Sequence, residues 1–311
     1  MVEKIILDGS FYKLSNTFKI ISKLPIKSSF ESIIGMGVYA GDRTEWVEHS
    51  IQSMVNQTYT NSLFVIIIDG DIPLCLRALL VRKGEEHDNV FLIQSQNNVG
   101  LSNCMNFVVD WALEHTPQAK FFFRMDADDI SIVDRLAKQV MFLKANPNIS
   151  ILGSGLTEIN ENGEKVGQRK LPLKHHEIMR FLPKRCSINH PTVAIRFSVF
   201  EQGFRYRDGL QNTQDYFFWA DLAAAGYKFA NLPDRLLQFR RVNDFYKRRG
   251  YSKSLNEFKA RFYTMKVLKR YGVGNIVYAC SVLVLRLMPA KLVKLAYKID
   301  RYLLNKRVKH E

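Results

Sequence analysis

Phe121-Phe122-Phe123-Arg124-Met125-Asp126-Ala127-Asp128-Asp129-Ile130-Ser131 is the stretch on which the reading of this chain turns. Its apolar start predicts a buried strand, so the three acids fall where a strand meets its loop, the usual place for a site in an α/β sheet. Side chains two apart on an extended segment point the same way, which lets Asp126 and Asp128 face one point in space. Convergent carboxylates are hard oxygen ligands that suit Mg²⁺ or Mn²⁺, ions that usually arrive with phosphate oxygens. The same residues also fit a solvated acidic turn in which Asp129 or Ser131 caps the following helix. Taken alone, the stretch leaves both readings open.

Working outward, residues 33–38 predict a first strand, followed by a turn with Gly41. Asp42 and Glu45 have the spacing of a helix capping box, and Trp46, Val47, Ile51, Met54 and Val55 recur at helical spacing. Apolar, β-branched residues 63–68 predict a second strand ending at Asp69-Gly70, and residues 90–93 a third. A helix is expected over 102–114, before the strand that ends in the acids. Leu136, Val140 and Leu143 mark another, stopped by Asn146-Pro147. This alternation implies an α/β fold with a doubly wound, mostly parallel sheet and ligands at the carboxyl ends of its strands. Beyond it, Asn162-Gly163 signals a hairpin turn. Residues 175–182 predict a short helix, 187–193 a loop entering a strand, and 215–225 an apolar helix that Gly226 can close.

The chain has 311 residues, 47% of them hydrophobic and 24% charged, which is the composition of a globular protein. Cys75, Cys104, Cys186 and Cys280 lie far apart without metal-type pairing and fit reduced, mostly buried thiols in a cytoplasmic setting. The first residues have no continuous apolar core, so no signal peptide is expected. The net charge of +15 is unevenly placed: from Arg235 to the end there are 20 Lys or Arg against 4 Asp or Glu, and before it 25 against 26. A nearly neutral body with a basic end points to an anionic partner for that end and argues against a dedicated nucleic-acid binder.

From about Tyr251 the chain reads as helical and amphipathic. Residues 276–285 are apolar, but Arg286 and Pro289 interrupt them well short of the roughly 20 residues a spanning helix needs. Leu292, Leu295, Ala296, Ile299 and Leu303 then repeat on one face among Lys291, Lys294, Lys298 and Arg301. Such a helix fits the membrane interface, or a helix packed on the domain with a solvated basic face; the one-sided charge favours the membrane.

Several stretches, in order, resemble glycosyltransferase family 2, the inverting GT-A transferases that use nucleotide sugars. They are SIIGMGVYAGDRTEWVEHSIQSMVNQTYTN (32–61), FVIIIDGD (64–71), NNVGLSNCMNF (97–107), FRMDADDIS (123–131), DRLAKQV (134–140), NHPTV (189–193), QDYFFWADLAAAGYKFANLPDRLL (214–237) and YKRRG (246–250). The subgroup they resemble acts in bacterial exopolysaccharide, capsule and O-antigen assembly, as the amylovoran transferases do. The resemblance covers most of residues 32–250 and implies a GT-A (Rossmann-like) domain there, with an N-terminal extension over 1–31 before it and the basic, membrane-associating tail read above over 251–311 after it.

It further implies that Tyr39 meets the nucleotide base, Asp69 binds the nucleoside, and Asp126 and Asp128 hold the metal and diphosphate, with Asp128 the direct ligand. Asp215 becomes the base that takes a proton from the acceptor hydroxyl. His190, Gln214, Arg240, Arg241, Arg248 and Arg249 are candidate diphosphate or acceptor contacts. Each has a plainer reading: Asp215 as a helix N-cap, Asp69 as a turn residue, His190 as a structural loop residue, and the arginines as a solvated basic face. Gln214 stands where the family usually has Glu, Asp71 replaces a small serine, and Met105 takes a position that is Arg in some relatives.

The expected activity is therefore metal-dependent transfer of a hexose from a nucleotide diphosphate sugar, UDP-linked, with Mn²⁺ or Mg²⁺. The expected acceptor is a saccharide on undecaprenyl diphosphate at the inner face of the cytoplasmic membrane, and no nucleic-acid partner is expected. A haloacid-dehalogenase-type phosphatase also spaces two Asp by one residue. Its motif follows the first strand of its domain, however, whereas this one follows about the fourth. A non-catalytic basic membrane or nucleic-acid adaptor on the same fold is the second alternative.

Overall fold

A computed structural model describes residues 17–22, 29–210, 213–242 and 251–287. Those up to Met141, together with Ala194–Asp208, form one compact unit; Phe142–Val193 and those from Gly209 onward form a second. In chain order the first unit has β1 (Phe18–Ile20), β2 (Ser32–Tyr39), α1 (Thr44–Val55), β3 (Ser62–Asp69), α2 (Leu74–Glu86), β4 (Val90–Ser95), α3 (Leu101–His115), β5 (Phe121–Arg124), β6 (Ile130–Ser131) and most of α4 (Arg135–Ala145), whose last four residues fall in the second. Strands β7 (Ile151–Ile159) and β8 (Lys165–Arg169) and helix α5 (His175–Phe181) belong to the second unit. The chain then returns to the first for β9 (Ala194–Arg196) and α6 (Phe197–Glu201). Helix α7 (Gln214–Ala224), β10 (Phe229–Arg240), α8 (Tyr251–Val267) and α9 (Val273–Leu287) complete the second.

In the first unit the strands lie in the order β1-β4-β3-β2-β5-β9. Strands β4, β3, β2 and β5 are parallel, and β1 and β9 add antiparallel edges. Strand β3 is buried at all of its positions, as a strand covered on both faces requires, which explains its unbroken apolar sequence. Fully buried Phe121, Phe122 and Phe123 do the same for β5, each contributing roughly 1.5–3 kcal/mol relative to exposure. The chain winds from β2 through β3 to β4 on one side and then crosses to β5 on the other flank of β2. The carboxyl ends of β2 and β5 therefore form a topological switch point, where open α/β sheets bind ligands.

In the second unit β7 pairs with β10 in parallel and with β8 antiparallel. The β7–β8 turn carries the predicted signal: Gly163 has φ +86°, and the Asn160 side-chain oxygen accepts the N–H groups of Asn162 and Glu164. Helix α7 ends as expected, with Gly226 at φ +86° and the Tyr227 N–H donating back to Leu222. Helix α7 packs on α8, and α8 on α9.

Three expectations need correction. The capping box does not form: Arg43 occupies the N-cap of α1, and Asp42 instead accepts the Tyr39 N–H at 2.9 Å. The thiols are not mostly buried; Cys104 is, but Cys75 and Cys280 are exposed and Cys186 lies between. Helix α2 and strand β1 carry no sequence signal strong enough to predict them. In α2, Arg77, Arg82 and Lys83 interrupt the apolar pattern, and β1 is a three-residue edge held by its pairing with β4. The amphipathic stretch 292–303, Arg248 and Arg249 lie outside the described residues. Among the described residues, no helix is long and apolar enough to cross a membrane.

Candidate active site

The switch point of the first unit gathers Tyr39, Asp42, Asp126 and Asp128. Tyr39 ends β2 with an exposed side chain. A Cβ on Gly41 would lie 2.5 Å from its ring, so the turn needs glycine for the tyrosine to keep its place. The Asp42 carboxyl is pushed up to about 7, chiefly by burial, with the charges of Asp128 and Asp126 adding and the Tyr39 N–H opposing. That mutual repulsion marks an excess of negative charge at this end of the sheet.

Between pH 3.8 and about 7 the folded state keeps a proton on Asp42 that the unfolded chain has released. This group therefore weakens the fold as pH rises through that window. Asp42→Asn is expected to raise the melting temperature clearly at pH 8 and by much less at pH 4; equal shifts at both would disprove the assignment.

Asp69 is buried at the end of β3. Its two oxygens accept the backbone N–H groups of Val99 and Gly100, at 2.7 and 3.0 Å, and the Ser95 hydroxyl at 3.2 Å. The carboxylate thus ties the loop 97–100 to the sheet. Gly70, at φ +80°, lets that loop approach: a Cβ there would sit 2.8 Å from the Asn98 nitrogen.

Behind the acids lies a charged layer that sequence reading missed. Arg124 and Arg135 are both fully buried, an unusual state for arginine. Arg124 forms an ion pair with Asp126. Arg135 donates to the Arg124 carbonyl at 2.7 Å and to Gln139 at 3.1 Å. Burial pulls the Arg135 pKa down to about 10, while the charge of fully buried Asp129 opposes the fall, so Arg135 stays cationic at neutral pH. The backbone of Asp126 is fixed as well, its carbonyl accepting the Ser50 hydroxyl at 2.9 Å. Of the three acids, Asp126 is therefore occupied by Arg124, Asp129 faces Arg135 from within the core, and Asp128 is half-buried.

The other candidates belong to the second unit. Asp215 is the second residue of α7; Thr213 is the N-cap, so Asp215 does not serve as the cap. The Cys186 thiol lies 3.9 Å from Asp215 Oδ2 and 3.2 Å from the Ile188 carbonyl. Burial first, and then the Asp215 charge, pushes this thiol well above its usual range, so it stays a neutral donor. The side-chain oxygen of neighbouring Gln214 is buried and has no hydrogen-bond partner among the described residues.

His190 begins a 3₁₀ turn and meets the fully buried Trp219 edge to face, with ring centroids 6.0 Å apart. Arg240 is buried and donates to the Asn160 and Glu161 carbonyls of the β7–β8 turn. Arg241 pairs with Glu158, as does Arg169. The guanidinium groups of both candidate arginines are thus used within the unit's own sheet.

Among the described residues no three His, Cys, Asp or Glu side chains are grouped as a metal centre. The carboxylates of Asp126 and Asp128 still fit a hard divalent ion of the kind that keeps several water ligands and binds one or two carboxylates plus substrate phosphates.

Comparison with known proteins agrees with this geometry. The profile of glycosyl transferase family 2 matches residues 38–204. An uncharacterised glycosyltransferase of Haemophilus influenzae is 31% identical over 273 residues, covering 85% of this chain and 96% of the relative. The amylovoran biosynthesis glycosyltransferase AmsE of Erwinia amylovora is 28% identical, covering 86% and 97%. The crystal structure of residues 1–349 of S. aureus TarS with UDP superposes with a TM-score of 0.54 at 14% identity, over 85% of this chain and 82% of that one, and so shares the fold. With more than half of its length matched by the family profile and nearly all of a 31%-identical relative covered, this chain belongs to glycosyl transferase family 2.

Proposed function

We propose that the chain is an inverting, metal-dependent hexosyltransferase. Its donor is a nucleotide diphosphate sugar, UDP-linked, and its acceptor an oligosaccharide on a lipid diphosphate, undecaprenyl diphosphate, during assembly of a bacterial surface polysaccharide. The gathering of Asp126 and Asp128 beside Tyr39 and Asp42 at the switch point carries this reading. The name of AmsE supports the pathway and the UDP bound to TarS supports the donor.

In this reading Tyr39 stacks on the base, and Asp69 holds the loop 97–100 that lines the nucleoside. Arg124 restrains Asp126, and Asp128 is the direct ligand. A bound Mn²⁺ or Mg²⁺ supplies the positive charge that stabilises the departing diphosphate. Asp215 takes the proton of the acceptor hydroxyl as it attacks from the face opposite the leaving group. Asp215 sits in the first turn of α7, and its positioning there supplies much of the rate. The Gln214 oxygen, without a hydrogen-bond partner among the described residues, supports an acceptor contact, since a sugar hydroxyl donates to such a group.

The test combines purified full-length protein, UDP-hexoses, a lipid-diphosphate acceptor and Mn²⁺. Release of UDP is expected to require acceptor and divalent ion together, with inverted anomeric configuration in the product. Asp128→Ala should need much more Mn²⁺ for half-maximal turnover. The proposal fails if no nucleotide sugar is turned over, or if the variant responds to Mn²⁺ as the parent does.

A further inference from the structure

From Ile276 to Leu285, helix α9 carries no charged residue on any side. Ala279 is buried and Ile276, Tyr278, Val282 and Leu283 are half-buried on one side. The opposite side presents Val273, Val277, Val284 and Leu285, which are 78, 56, 52 and 36% exposed, with Cys280 and Ser281 between them. Val273, Val277, Cys280 and Val284 stand at i, i+4, i+7 and i+11, so they form one stripe. Tyr271, 54% exposed, stands just before it. A surface helix normally turns charged residues outward, yet none occurs from Tyr271 to Leu285. At 15 residues, α9 is too short to span a bilayer, which takes about 20.

The charge around the stripe identifies its partner. Between Glu257 and Asp300 the sequence has nine Lys or Arg and no acid. Lys266, Lys269 and Arg270 are exposed where α8 hands over to α9. A second copy of this surface, or the equally basic residues that follow α9 in the sequence, would bring like charges together. An anionic bilayer complements both features: its acyl boundary takes the valines, its headgroups take the cations, and an interfacial tyrosine is at home there.

We propose that the outward stripe of α9, with Lys266, Lys269 and Arg270 exposed just ahead of it, docks the protein on an anionic lipid surface. This deepens the reading of a lipid-linked acceptor, but its test does not depend on that reading, because the vesicles used contain no acceptor.

Full-length protein is floated with vesicles of phosphatidylcholine, with and without phosphatidylglycerol. The parent is expected to float with the anionic vesicles only. Val277→Glu/Val284→Glu should reduce the bound fraction by about tenfold, with an unchanged melting temperature and sedimentation coefficient. The proposal is overturned if this variant floats like the parent. It is also overturned if lipid binding is lost only on changing Lys291, Lys294 and Lys298 to Gln, or if the valine variant turns a dimer into a monomer.

Discussion

Asp215→Asn is expected to lower kcat for sugar transfer by about 10²–10⁴-fold, the range that a positioned general base supplies. The KM for the nucleotide sugar should change little, because the residue acts on the acceptor hydroxyl. Asparagine keeps the shape and removes only the basicity. Asp215 is not the N-cap of α7, so the substitution does not strip the helix of a cap, and the melting temperature should stay within a few degrees of the parent. The Cys186 thiol beside it is held protonated and cannot substitute as a base. Steady-state kinetics with the lipid-diphosphate acceptor decide the matter: a loss of kcat below tenfold in a normally folded variant would remove Asp215 from the base role.

The second large effect concerns stability. Arg135→Met is expected to cost about 3–5 kcal/mol, because it removes a buried cation whose charge offsets that of the equally buried Asp129 carboxylate. Arg135 is fully buried and also ties the Arg124 carbonyl and Gln139. Adding Asp129→Asn should recover part of the loss, since the remaining charge goes with it. Urea unfolding of the two variants measures both quantities. A single-variant loss under about 1 kcal/mol would show that the layer behind the acids does not depend on this pair. The same substitution should also loosen Asp126, whose partner Arg124 is held through its carbonyl by Arg135.

Most of the first unit was legible along the chain because its signals are local. Strands β2, β3, β4 and β5 are short, apolar and mostly β-branched or aromatic, and the helices α1, α3 and α4 repeat their apolar residues at helical spacing. The turns at Gly163 and Gly226 were readable for the same reason, since a positive φ selects glycine. Where local patterning was weak, reading failed. Helix α2 mixes leucines with arginines on the sheet's flank, and β1 exists through its pairing with β4, more than 70 residues later in the chain.

Of the site, the sequence by itself determined the positions of the acids at strand ends, because a strand's apolar run and the polar residues after it are adjacent in the chain. It did not determine which charged neighbours the three acids meet. That depends on β2 lying beside β5, with Ser32 in register with Phe121, a pairing that brings Asp42 to Asp126 and Asp128. It depends equally on Arg124 and Arg135 turning inward to Asp126 and Asp129, where a short arginine-containing strand reads only as apolar. Partnership between buried charges is a property of three-dimensional neighbours; the chain supplies the charges, and tertiary packing alone decides which of them meet.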